Sequence, residues 1–476
     1  MNRFEMEGLQ ADIARMRATH KVGRVCAVHA GQVRVTGLGH VARIGDRLRI
    51  LRKNGDPLEG EVLQLNSHEV TMLPEAGNDG TALGDPVILL DPDCLAPTEA
   101  WLGRVIDPFG APLDGRPLMR GHDPRPILSD PPPPVMRRGF GGRLETGMAI
   151  LNTLLPVVRG QRVGLFAGSG VGKSSLLAHL ARNMQVDIVV VALIGERGRE
   201  LRDFIQVVLG EAGMARTVVV AATSDRSALV RRRCAWSAMT VAEYFRDQGL
   251  HVLLLMDSLT RFAEAHREVA VSGGEAANLR GYPASTAHTI MSLCERAGPG
   301  AGAHGDITAV MTVLVAGSDM EEPIADIIRG VLDGHIVLDR AIAERGRYPA
   351  IDLLRSVSRS LPTAATEAEN ALIQEARQLL GAYHQSELMI RAGLYSEGSD
   401  PLLDRAISIW PELDSFLAEV ERSDSAHSFA RLALILRRAK PLRGGHGQTM
   451  GAKPAAPHMS PGSGHGQHKR PAASVT

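Results

Sequence analysis

Lysine and aromatic residues are both scarce in this chain. Of 53 Lys and Arg in 476 residues only six are Lys, and Lys173 is the only one between Lys53 and Lys440. A composition that uses Arg wherever either will serve keeps a mid-chain Lys where a planar fork cannot replace a compact ammonium. Aromatics make up 4% of the chain, and the only one before Trp101 is Phe4. A domain that stacks single-stranded bases needs aromatic platforms, so this scarcity argues against a nucleic-acid motor. The balance of 53 basic and 53 acidic residues argues the same way, because binding by bulk charge needs a basic excess.

Cysteine is sparse too. Cys26, Cys94, Cys234 and Cys294 are far apart, with no C-x-x-C pair, and read as buried thiols in a reducing compartment. The longest apolar runs, such as Ile188 to Gly195, fall far short of the roughly 18 residues that cross a bilayer. The opening residues Met1 to Asp12 lack the apolar centre of a secretory signal. The expectation is a cytoplasmic protein, recruited to a membrane if it acts at one. The length allows two to four domains, at about 150 residues each.

The texture divides the chain. In residues 1–20, Met6, Leu9, Ile13 and Met16 share one helical face. That amphipathic helix either packs on its own domain or docks a partner. Residues 21–97 hold short β-branched runs with turn residues, including the hairpin signal K-N-G-D, and suggest a small barrel. A linker region, 98–143, contains four consecutive prolines at 131–134. Through residue 362, apolar runs such as R-V-G-L-F-A, D-I-V-V-V-A-L-I and H-V-L-L-L-M-D alternate with helical stretches. That pattern predicts an α/β core on a parallel sheet. Residues 363–440 read as helical. Residues 441–476, rich in Gly, Pro, Ser and His, read as a disordered tail.

Chemistry concentrates after the strand Arg162 to Phe166. Ala167, Gly168, Ser169, Gly170, Val171, Gly172, Lys173 and Ser174 form a glycine-rich turn into a helix. Such a turn aims backbone N–H groups and a helix N-terminus at a phosphate. Lys173 would reach the β- and γ-phosphates of ATP, and the Ser174 hydroxyl would ligate Mg²⁺. The motif normally opens on Gly, and Ala167 is a mild departure.

Asp257 ends the strand H-V-L-L-L-M-D, where an unpaired carboxylate is costly unless a metal or a cap offsets it. It is either a second Mg²⁺ contact or part of a helix cap with Ser258 and Thr260. Glu196, in G-E-R-G-R-E, either orients a water for phosphoryl transfer or pairs on the surface with Arg197 or Arg199.

At these residues the chain resembles the ATPase family of type III protein export, kin to the rotary ATP synthase α and β subunits. The resemblance rests on G-L-F-A-G-S-G-V-G-K-S, L-I-G-E-R-G-R-E, H-V-L-L-L-M-D-S-L-T-R-F-A and P-A-I-D-L-L-R-S-V-S, and spans roughly Lys21 to Ala439. It implies a RecA-like core between a β-barrel and a helical C-terminal domain. It implies that Glu196 is the catalytic carboxylate. Arg359 would be an arginine finger entering a neighbouring subunit, or else a structural ion pair. Tyr348 would pack on adenine, or else fill a core or turn position. Catalytic and finger residues in one chain imply a homo-hexamer with shared sites.

The implied partners are a dimeric regulator at the N-terminal helix, a central stalk protein, export substrates with their chaperones, and peripheral association with the inner-membrane export gate. No nucleic acid is implied. The flagellar member fits best, with a virulence injectisome ATPase as the alternative. A non-catalytic ring subunit would lack Glu196. Ala284, where the family has a second Pro after Gly281-Tyr282-Pro283, and the S-T-A-H-T-I that follows are local departures.

Overall fold

The computed structural model describes residues 13, 19–29, 31–53, 55–279, 281–315 and 322–439. Apart from Ile13, the expected N-terminal helix lies outside them, as does the expected tail.

Six strands form a closed barrel: β1 (Val22–His29), β2 (Gln32–Thr36), β3 (Arg47–Ile50), β4 (Leu58–Leu65), β5 (Glu69–Pro74) and β6 (Pro86–Leu89). Their order is β1-β2-β5-β4-β3-β6, and β6 returns to β1. Alternation decides what fills it: Val33, Val35, Leu48, Ile50, Val62, Val70, Met72 and Val87 point inward and are fully buried. β3 and β4, on either side of the expected hairpin turn, pair as an antiparallel hairpin.

The central sheet contains β7 (Val105–Ile106), β8 (Arg162–Ala167), β9 (Ile188–Glu196), β10 (Thr217–Thr223), β11 (His251–Asp257), β12 (Asp306–Leu314), β13 (Gly334–Leu338) and β14 (Ile351–Ser358). The order is β14-β13-β8-β12-β11-β9-β10-β7, and the short segment Gly298–Pro299 pairs with β12. All these neighbours are parallel except β14, which runs antiparallel to β13, and Gly298–Pro299, which runs antiparallel to β12. The linker region thus supplies a strand: β7 pairs with β10 and buries Ile106 completely. Two residues are too few to show a period in the sequence.

Both faces of the sheet are covered, which is why its strands read as continuous apolar runs. Along β9, Val189, Val191 and Leu193 face one core, and Val190, Ala192 and Ile194 the other. The first core includes Leu176, Leu177 and Leu180 of α1 (Lys173–Asn183). The second includes Met239 and Phe245 of α2 (Ala228–Asp247) and Phe262 of α3 (Leu259–Ser272).

Three further helices end the described chain: α4 (Glu367–Arg391), α5 (Pro401–Leu417) and α6 (Ser425–Arg438). Thr366 and Glu369 form a reciprocal capping box that starts α4. Asp400 and Asp424 cap the next two. Their apolar stripes, with Leu380, Phe416 and Leu432, join the core that holds α1.

Polar contacts seat the barrel on the core. Gln32 and Gln64 donate to the carbonyls of Ser272 and Gly273, at 2.6 and 2.7 Å. Arg232 pairs with Glu61 at 2.6 Å. Arg47 of the barrel and Arg233 of the core both stack on the Phe109 ring, 4.2 and 4.4 Å from its centre.

Candidate nucleotide site

The candidate site lies at the carboxyl edge of the parallel sheet, where β8, β9 and β11 end. In open α/β sheets this edge is where ligands bind. The phosphate loop begins at the fully buried Ala167 and turns through Gly168, Ser169, Gly170, Val171 and Gly172. Gly170 and Gly172 have φ of +77° and +91°, which disfavour any side chain. Val171 is buried and pins the loop, while Ser169 and Gly170 are exposed. Lys173 is the first residue of α1, followed by the exposed Ser174.

The Lys173 ammonium is held between two carboxylates. Nζ lies 2.5 Å from Asp257 Oδ1 and 3.7 Å from Glu196 Oε1. Asp257 is only 4% exposed, and the same Oδ1 accepts a 2.7 Å hydrogen bond from the buried Thr312 hydroxyl. Ser258, rather than Asp257, caps α3 by accepting from Arg261 N. Asp257 is therefore free of capping and faces the loop.

Glu196 reaches this position through a bulge. The pairing of β9 with β10 shifts between Ile194 and Glu196, and the skipped residue, Gly195, has φ +70°. A bulge re-aims the next side chain. A Cβ built at Gly195 would lie 3.4 Å from Arg231 Cδ and 3.7 Å from Arg261 Cβ, so two arginines flank this turn. Arg197 and Arg199 look elsewhere, to Glu200 at 3.9 Å and Asp203 at 3.7 Å. Burial first, then Glu200 and Asp257, raise the Glu196 carboxyl to about 7 against the opposing Lys173.

Tyr348 stands beside the loop. It is 52% exposed, and a Cβ at Gly172 would lie 3.3 Å from its Cδ1. Its ring therefore borders the phosphate turn and presents a face to solvent.

Arg359 is not brought to this group. Ala167 is level with Leu338, and Leu338 with Ile351, but Ser358 is level with Gly334 at the opposite edge. β14 bulges between Asp352 and Val357, so its length along the sheet matches the four steps from Gly334 to Leu338, about 13 Å at about 3.3 Å each, and Arg359 lies one residue beyond that, on the far side from the phosphate loop of its own chain. Its guanidinium donates to the Arg329 carbonyl at 3.3 Å and is exposed.

Thr312 and Arg261 escaped the sequence reading. A polar residue inside the apolar run I-T-A-V-M-T-V-L-V was the signal available for Thr312. Nothing marked Arg261, whose buried Nε has no hydrogen-bond partner.

The donor set has a bearing on a metal. No group of three or more His, Cys, Asp or Glu able to hold an ion occurs among the described residues. Ser174 and Asp257 offer two oxygen donors. That suits Mg²⁺, which keeps its waters and is bound by one or two protein oxygens together with substrate phosphates.

Comparison with known proteins identifies the family. Residues 147–358 match the ATP synthase alpha/beta family, nucleotide-binding domain. Residues 365–433 match the T3SS EscN ATPase C-terminal domain. The flagellum-specific ATP synthase of Caulobacter vibrioides is 44% identical over 91% of this chain and 99% of its own. That of Salmonella typhimurium is 42% identical over 90% of this chain and 97% of its own. Among solved structures, the assembled ATPase EscN of the enteropathogenic E. coli type III secretion system superposes with a TM-score of 0.81. It is 36% identical and covers 87% of this chain and 100% of that one. EscN in complex with its central stalk EscO superposes at 0.79. With its phosphate loop, its two strand-end carboxylates and relatives matching along nearly their whole length, this chain belongs to the flagellum-specific ATP synthase family of type III export ATPases.

Proposed function

We propose that the chain hydrolyses Mg²⁺-ATP at a site shared between neighbouring subunits of a homo-hexamer, and that this drives delivery of flagellar proteins to the export gate. The observation that carries this is the Lys173 ammonium suspended between Asp257 and Glu196, at 2.5 and 3.7 Å.

A triphosphate entering the glycine-rich turn competes with those carboxylates for Lys173. As the ammonium moves onto the β- and γ-phosphates, both carboxylates are released. Mg²⁺ carried on the phosphates would be met by Ser174 and Asp257 and would neutralise charge there. Glu196, ionised once its proton leaves, accepts a hydrogen bond from the attacking water and holds it in line with the leaving phosphate. Tyr348 supplies a face for adenine. Arg359 of a neighbouring subunit enters the site and balances developing charge, contributing roughly 10³ to 10⁵ in rate.

The C-terminal domain supplies the mechanical side. Leu388 and Leu394 are 84% and 77% exposed near the end of α4, an apolar tip suited to a central stalk. EscN, whose structure with its stalk superposes on this chain, supports that placement. No described helix is long and apolar enough to cross a membrane, so contact with the inner-membrane gate would be peripheral. The N-terminal helix would receive the dimeric regulator, and export substrates would arrive with their chaperones.

A chromosomal Glu196→Gln replacement tests the function in the source cell. Swimming and secreted filament protein should both be lost. Normal motility with loss of other secreted proteins would instead favour an injectisome, and no secretion defect of any kind would overturn the export reading.

A further inference from the structure

The segment that carries Tyr348 is tied to the helical domain by the residues around it. Arg347 is 9% exposed, and its Nη2 donates to the Ile351 carbonyl at 2.8 Å. Its Nε lies 3.2 Å from Asp414 Oδ1, on α5. Neither Nε, Nη1 nor that Oδ1 has a hydrogen-bond partner, so charge rather than directed bonding holds the pair. Two residues earlier, the Arg345 guanidinium lies 6.0 Å from the Trp410 ring centre and 3.9 Å from Glu387. Trp410 itself stacks on Tyr383 at 3.9 Å and 6°, which joins α5 to α4. From Asp414 the path runs through Arg347 to Tyr348 and on to Gly172, a glycine whose Cβ would press on the tyrosine ring.

We propose that Arg347 is a positioning residue. Through Asp414 it ties the adenine face of the site to α5, so that displacement of the helical domain alters nucleotide affinity through Tyr348. One edge of the guanidinium is fixed to the Ile351 carbonyl, and the other, Nε and Nη1, is balanced only by the Asp414 carboxylate, so that edge follows the carboxylate opposite it. A shift of α5 therefore moves the segment 345–348, and with it the ring beside the phosphate turn. This rests on Tyr348 being the adenine-packing residue.

The test uses the full chain at concentrations where ATPase activity has reached its plateau. Asp414→Asn and Arg347→Gln are compared with Tyr348→Ala for the KM of ATP, for kcat, and for inhibition by inorganic tripolyphosphate, which has no base. Asp414→Asn and Arg347→Gln should each raise the KM for ATP about fivefold, with kcat within about twofold and tripolyphosphate inhibition unchanged. Arg347→Lys, which keeps a charge opposite Asp414, should recover part of the loss. Asp414→Asn combined with Tyr348→Ala should be no worse than Tyr348→Ala alone.

A KM effect from Tyr348→Ala but none from Asp414→Asn or Arg347→Gln would overturn the tether and leave the adenine reading standing. No KM effect from Tyr348→Ala would sink the adenine reading itself. If Arg347→Gln lowers the unfolding temperature, Asp414→Asn, on a partly exposed side chain, decides the matter. Equal weakening of ATP and tripolyphosphate would mean a structural role only.

Discussion

Tyr348 and Arg359 flank a single strand, Ile351–Ser358, at its two ends. Register places the Tyr348 end level with the phosphate loop and the Arg359 end level with Gly334, at the opposite edge of the sheet. Its start borders the phosphate turn of its own chain, its end stands clear of that turn, and under the proposed function that end would serve a neighbouring subunit.

Mixing variants tests that separation. Lys173→Ala and Arg359→Ala proteins should each lose nearly all activity, by about 10³-fold or more. Mixed, they should regain part of it, because some interfaces then pair an intact loop with an intact finger. Specific activity should also rise with protein concentration. Activity independent of concentration, far below the range where subunits assemble, would refute the shared site.

The Glu196 carboxyl is raised from its ordinary 4.5 to about 7, first by burial. Only the ionised form can orient water, so kcat/KM should climb as pH rises through about 7 and level off above it. Glu196→Gln should abolish that limb and cut kcat by about 10² to 10⁴. The stability effect has the opposite sense. A raised folded-state value means that ionising Glu196 above pH 7 costs stability, so the Gln variant should melt higher than the parent at pH 8 and show less gain at pH 5. Thermal unfolding at the two pH values checks this.

Thr312→Val removes a donor while keeping the shape of the side chain. A hydrogen bond to a charged group contributes about 1.5 to 3 kcal/mol, and both Thr312 and Asp257 are buried. The variant should unfold at lower denaturant concentration. Lys173 should then be the sole donor of this pair to Asp257 Oδ1, so a triphosphate displaces it less easily and the KM for ATP rises. An unchanged unfolding midpoint would count against the contact.

Two buried histidines should make the fold acid-sensitive. Burial pushes His251 and His266 down to about 4, with Arg159 and Arg232 adding to the effect. In the unfolded chain they titrate near 6.5. Between those values the unfolded state binds more protons, so stability is full above about pH 6.5 and falls as pH drops toward 4. Denaturant unfolding at pH 7 and pH 5 should show the loss. Their partners, the Thr308 and Ser285 hydroxyls at 2.8 and 2.9 Å, can serve a neutral ring.

Much of this protein was legible in its sequence because the informative features are local. The phosphate turn needs only a strand, glycines at positive φ and a Lys opening a helix, all within a few consecutive residues. Burial of the sheet on both faces turns its strands into unbroken apolar runs, and the stretch 363–440 reads as helical from its composition. Residue types alone named Lys173, Glu196 and Asp257 as candidates.

What joins them was decided by the tertiary structure. The strand that carries the phosphate loop lies between Asp306–Leu314 and Gly334–Leu338, far along the chain, and an order that does not follow the chain leaves no trace in local periodicity. Thr312 meets Asp257 from 55 residues away. Val105–Ile106 joins the sheet through register alone. The bulge at Gly195 aims Glu196 at Lys173 instead of at the neighbouring arginines. Which end of Ile351–Ser358 faces the chain's own nucleotide site follows from strand direction, which is a property of the assembled sheet rather than of any run of residues.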